Sequence, residues 1–347
     1  MIFANSQDGV AFLCVPLLGW GLWPAFRSRC GAPTPGFALL NLSTQFVTML
    51  ILCSTAGAAG PHGQFWHTHL WTADWSTVAT WLGGFLVAHG DHIAAVAMRF
   101  IPPGVAFPLY TGTGLVLGSS LNYLQVGSPN TPVFLIGLFL MAVAVVFLSL
   151  GEGAKGVRDD ELPIAAGVSL VEVGSSVEAS TTAPPKELSR KVATLICFLA
   201  ALFASCWSPL ATYATKHGQH TPYARYFFFI SGALCAMPSV LFLTASIEGK
   251  TVAQAAKEVR GLALKNIAWG VACGCGVSFG YFGYLLGSTV VNATVAFGIT
   301  CCNALIAILV DIAFGDNFRG LALRPKLFFG LAVVFYVGCI GVLTSIS

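Results

Sequence analysis

The chain has 347 residues, of which 56% are hydrophobic and 9% charged, and its formal net charge is +3. A mean hydropathy of +0.79 excludes an ordinary soluble domain, and 17 basic against 14 acidic residues leave no excess for gripping nucleic acid. The expectation is an all-α integral membrane protein, because a hydrocarbon core about 30 Å thick takes roughly 20 apolar residues per helix. Lipid also leaves no partner for unpaired backbone groups, and the weak alternation of a barrel strand is absent.

Ten apolar runs follow one another along the chain: 10–26, 37–59, 77–98, 104–124, 132–150, 192–215, 223–247, 267–287, 289–312 and 327–346. The basic residues sort between them. Arg27 and Arg29 follow the first run, Arg99 the third, Lys155 to Lys191 the fifth, Lys250 to Lys265 the seventh and Arg319 to Lys326 the ninth. Only Lys216 and Arg225 fall on the other side. Basic residues in short loops stay cytoplasmic, so both termini are expected outside the cytoplasm. The segment before the first run carries Asp8 and no basic residue, so that run is expected to be retained and not cleaved as a signal peptide. Ten of the eleven cysteines fall within the runs and Cys30 on the cytoplasmic side, so no disulfide framework is implied.

In the first run Pro24 follows Trp23, and in the sixth Pro209 follows Trp207. Each proline frees a carbonyl and bends its helix, which leaves the two indoles either lining a cavity, stacked on a flat solute, or anchored at the interface. The third run holds "AHGDH", with His89, Asp91 and His92. Asp91 lies about 12 Å deeper than Arg99 at 1.5 Å per residue. An ionisable group there costs about 2.5 to 3.5 kcal/mol on insertion scales and must face protein or water. Three roles fit it. Asp91 couples transport to protons with His89 or His92 as relay; the three residues hold a metal; or Asp91 makes a structural bond, for instance to Arg99, while the histidines take neighbouring carbonyls. No second acid or histidine stands ready at that depth, so no metal is expected. Asn41, Gln45, Thr111, Thr113, Tyr281, Tyr284 and Asn303 are further polar candidates for contacting a substrate. In the eighth run Gly270, Gly274, Gly276, Gly280, Gly283 and Gly287 form a stripe that lets another helix approach closely.

The stretch 151–191, rich in Ser, Thr, Ala, Glu and Pro, reads as a disordered cytoplasmic linker. It divides the chain into a five-helix unit, 1–150, and a second, 192–347. An odd number of spans per half inverts one half against the other, a device of transporters. The string "TASIEGKT" lacks the first glycine of a phosphate-binding loop and follows a span, not a strand, so nucleotide binding is not expected. The "VAQAAKEVRG" after it reads as a surface amphipathic helix. The loop "HGQFWHTHLW" holds His67 and His69, which could bind a metal weakly, and reads as an aromatic interfacial loop.

The five-plus-five plan, "GWGLWPAF", "GGFLVAHGD", "GSSLNYL" and "FGDNFRG" together resemble the ureide permease branch of the drug/metabolite transporter superfamily. Its neighbouring branch of rhamnose- and glucose-type sugar carriers is a near second. The resemblance implies a secondary transporter, not an enzyme, without cofactor and driven by a proton gradient, that carries a small neutral polar solute such as allantoin or uracil. Where ureide permeases carry Gly–Asn, this chain has Gly90–Asp91. The expected partners are that small solute and the lipid bilayer, in the plasma membrane or an internal one. A membrane receptor or assembly subunit is the alternative of another class.

Overall fold

The computed structural model describes residues 6–57, 74–101, 103–154, 189–218, 220–314 and 321–347. The expected linker, the loop with His67 and His69, and the "FGDNFRG" string fall wholly or largely outside these residues. Within them the chain is all-helical. The helices are α1 (Ser6–Phe12), α2 (Cys14–Gly21), α3 (Trp23–Cys30), α4 (Thr34–Thr55), α5 (Trp75–Ala97), α6 (Pro103–Val126), α7 (Thr131–Gly153), α8 (Arg190–Ser205), α9 (Trp207–His217), α10 (Pro222–Ile247), α11 (Val252–Arg260), α12 (Leu264–Gly287), α13 (Ala293–Thr300), α14 (Asn303–Phe314) and α15 (Leu323–Thr344).

The short helices are pieces of longer ones. Leu13 and Leu22, both in right-handed helical conformation, interrupt Ser6–Cys30, just ahead of Pro16 and Pro24. Cys206 separates α8 from α9 in the same way, three residues before Pro209. Each proline lacks the N–H that would reach the carbonyl four residues back, so the ladder opens and the helix turns. Between α13 and α14 no proline intervenes, and there the Thr300 hydroxyl donates to the Phe297 carbonyl at 3.0 Å, a side-chain bond that competes with the helical one.

Taken with their continuations, eight helical segments among the described residues are long and apolar enough to cross a membrane, the pattern of a multi-pass membrane protein. At 23 and 24 residues, α5 and α6 match them in length but are more polar. In α5 the cause is Thr77, Thr80, His89, Asp91 and His92. A more polar helix is at home inside a bundle, and α5 is enclosed by α8, α9 and α10.

Glycine sets the closest approaches. A Cβ on Gly84 of α5 would lie 1.8 Å from the Phe229 carbonyl oxygen of α10, and one on Gly232 of α10 would lie 2.0 Å from that of Trp81 on α5. The α12 stripe works in the same way: a Cβ on Gly274 would meet the Asn41 carbonyl of α4 at 2.8 Å, and one on Gly280 the Trp20 indole nitrogen of α2 at 2.4 Å. So α12 is laid against α2, α3 and α4, while α4 also meets α10, α6 meets α13, and α7 meets α15. These small-residue contacts let backbones touch where there is no hydrophobic drive between helices in lipid.

Candidate functional site

A cavity of about 80 Å³ lies where the helix breaks and the polar helices meet. Its centre is Asp91. One carboxylate oxygen accepts the Tyr110 hydroxyl of α6, and the other accepts that of Tyr281 of α12 at 2.9 Å. Both tyrosines are buried, and Asp91 opens on the cavity it lines. A single carboxylate therefore joins α5 to two helices from opposite ends of the sequence.

Aromatic rings wall the rest. Trp20 meets Trp207 edge to face at 5.8 Å between centroids and tilts over Tyr281 at 5.2 Å; Trp207 meets Tyr281 at 5.4 Å, and Trp23 stacks on Phe107 at 6.1 Å. Trp20 and Trp23 flank the break at Leu22, and Trp207 is the first residue after the break at Cys206. The bends thus present the indoles inward. Asn303, at the start of α14 just after the α13–α14 break, lines the cavity with its side-chain oxygen buried and without a hydrogen-bond partner among the described residues.

The candidates read from the sequence distribute as follows. Asp91, Trp23, Trp207, Tyr281 and Asn303 line this cavity together. Tyr284 stands behind it, its ring 4.8 Å from that of Trp207. Its hydroxyl meets Ser208 at 2.7 Å, in a buried network where Asn122 donates to Ser208 at 2.7 Å and Thr212 donates to Asn122 at 2.9 Å. Thr113 does not line the cavity; Thr111 does, and two residues on a helix rotate about 200°.

Neither histidine reaches Asp91. His89 donates through Nδ1 to the Phe85 carbonyl at 2.9 Å and meets the Ser239 hydroxyl of α10 at 2.9 Å through Nε2. His92 is buried, donates through Nδ1 to the Ala88 carbonyl at 2.7 Å and faces the Phe37 ring of α4 at 6.0 Å. The sequence cluster is thus three separate sites, because each residue step along a helix turns the side chain by about 100°. Trp20, Tyr110 and Phe297 are cavity residues that sequence reasoning missed. Trp20 had a signal, three residues before Trp23 and so on a shared face.

Polar contacts close both ends of α5. Arg99 pairs with buried Glu248, at the end of α10, at 2.6 Å, and not with Asp91. Glu248 also accepts the Thr34 backbone N–H at 3.1 Å, at the start of α4. Nearby Arg27 donates to the Ala32 carbonyl at 2.8 Å and lies over the Phe37 ring. At the other end Asp74 caps α5 by accepting the Thr77 backbone N–H at 3.0 Å, and His220 sits 3.4 Å from its carboxylate. The Ser76 hydroxyl above all, then the Thr77 N–H and His220, hold the Asp74 carboxyl at about 2.

No protein-family profile matches this chain, and no curated protein does. Twenty-four chains of solved structures match. One, described as "Crystal structure of protein", aligns over 98% of this chain and 97% of its own with a TM-score of 0.60 and 13% identity. That likeness concerns the fold, which the two chains share over nearly their whole length.

Proposed function

We propose that this chain is a secondary active transporter in which the aromatic cavity is the solute site and Asp91 carries the coupling proton. The observation that carries the reading is the lone carboxylate open on that cavity, held by Tyr110 from the first half and Tyr281 from the second. An ionisable group at such depth is costly and serves ion or proton pathways. A group bound by both halves changes its surroundings whenever the halves move against each other.

The reciprocal packing supports two inverted five-helix halves. The first half contributes α1 to α3 as one bent span, then α4, α5, α6 and α7; the second contributes α8 with α9, then α10, α12, α13 with α14, and α15. In that numbering the third span rests on the sixth and seventh, and the eighth rests on the first and second. The second meets the seventh, the fourth the ninth and the fifth the tenth. Each contact maps onto another, or onto itself, when the halves are exchanged, as a two-fold relation requires. The gathering of 15 of 17 basic residues on one side of the ten spans read from the sequence supports termini away from the cytoplasm. The Arg99–Glu248 pair and the Asp74–His220 contact, at opposite ends of α5, each join the first half to the second and would loosen in turn in alternating access. The resemblance to ureide permeases and sugar carriers agrees with this reading, and implies a small polar solute and a plasma-membrane or internal-membrane location.

Reconstitution tests it. Proteoliposomes are offered labelled allantoin, uracil, glucose and N-methylpyridinium, with and without a proton gradient. Saturable uptake of one of them above protein-free vesicles is expected. Uptake of none by folded, reconstituted protein contradicts the proposal.

A further inference from the structure

From the chemistry of the cavity wall, and resting on the transporter reading above, we infer that the solute is a small organic monocation, seated on aromatic faces with Asp91 as its counter-charge. Three observations converge. Among the described residues the cavity lining contains one acid and no Lys, Arg or His, so no cationic side chain in the wall neutralises an ionised Asp91, and an anionic solute would be repelled. The hydroxyls that line it are already engaged: Tyr110 and Tyr281 donate to Asp91, and Thr111 donates to the Phe107 carbonyl at 2.8 Å. The Trp20 indole N–H is buried against Gly280 on α12, without a hydrogen-bond partner among the described residues.

The site is thus rich in acceptors. The two Asp91 oxygens retain lone pairs after taking one tyrosine each, and the Asn303 amide brings, beside its NH2 donor, an oxygen that is buried without a partner among the described residues. A neutral ring or a sugar brings no charge to set against Asp91, whereas a substituted ammonium or a pyridinium takes both that counter-charge and the π faces. Trp20, Trp23 and Trp207 supply those faces, tryptophan being the best partner for a cation over a ring. Joining cation to carboxylate also removes the penalty of an isolated charge at depth. This departs from the neutral solute that the family resemblance implies.

The test is equilibrium binding of labelled choline, tetramethylammonium and N-methylpyridinium to the full chain in nanodiscs, beside labelled uracil, allantoin and glucose. The neutral isostere of choline, 3,3-dimethylbutanol, serves as competitor. Saturable binding of at least one cation is expected, unaffected by the isostere, weakened at least tenfold in Asp91→Asn and several-fold in Trp207→Leu, and retained in Asp91→Glu. Melting curves establish that each variant is folded. Binding of a neutral solute with no cation, equal competition by the isostere, or wild-type cation affinity in Asp91→Asn would each overturn the cation assignment and leave the transporter reading standing. Neither binding nor uptake of any of the six would remove both.

Discussion

Replacing Gly84 by alanine adds a single methyl group, yet its Cβ would fall 1.8 Å from the Phe229 carbonyl oxygen. A Cβ atom essentially never comes within 3.0 Å of another such heavy atom, so α5 and α10 must part by roughly 1.2 Å, and an overpacked contact of this kind costs about 1 to 3 kcal/mol. The opposing effect is helix propensity, in which alanine exceeds glycine by about 1 kcal/mol. The colliding group is backbone and cannot swing aside, so the clash wins. It also reaches the site, because the Phe229 ring packs 4.8 Å from Tyr281 and 5.4 Å from Trp207. Gly330 and Gly341 of α15 have nothing within 4 Å of a Cβ, so their alanine variants keep only the propensity gain. Thermal unfolding in detergent should therefore place Gly84→Ala several degrees below wild type, with weakened solute binding, and Gly330→Ala and Gly341→Ala at or above it. Gly84→Ala melting together with those two would refute the reasoning.

Arg99→Ala leaves Glu248, whose side chain is 2% exposed, with one backbone donor. Thermal unfolding should show a loss of about 1 to 3 kcal/mol, toward the low end because Arg99 itself is 44% exposed, and Arg99→Lys should recover part of it. Asp74→Ala removes the α5 cap and should cost about 1 kcal/mol. Because the folded-state Asp74 carboxyl is held at about 2 against an ordinary 3.8, the wild-type advantage should be complete above about pH 4. It should vanish as pH falls through about 2, which melting curves against pH would follow. Asn122→Ala removes the amide partner of the buried Ser208 and Thr212 hydroxyls, leaving Ser208 its bond to Tyr284, and unfolding measurements should show about 1 to 3 kcal/mol of destabilisation.

Much of the fold was legible because lipid permits so little else. Apolar runs, prolines 24 and 209 and the α12 glycine stripe each act locally, and the helices, breaks and close approaches follow from them. The site was legible only as single residues. Asp91, the tryptophans, Tyr281 and Asn303 are conspicuous at depth, but the Tyr110 hydroxyl that holds Asp91 comes from another helix, and nothing within α6 marks it. Proximity in sequence misled: His89 and His92 flank Asp91 yet point elsewhere, and of the two threonine candidates, Thr111 and Thr113, about half a turn apart, Thr111 alone lines the cavity among the described residues. Helical phase is fixed by packing partners, and those lie far off along the chain.

The central claim is that Asp91 carries the proton that drives movement through this cavity. The most direct measurement is solute uptake by proteoliposomes of wild type and Asp91→Asn, each with and without a proton gradient. The expected result is an uptake rate that responds to the gradient in wild type and is indifferent to it in Asp91→Asn. An equal gradient response in both proteins would contradict the account.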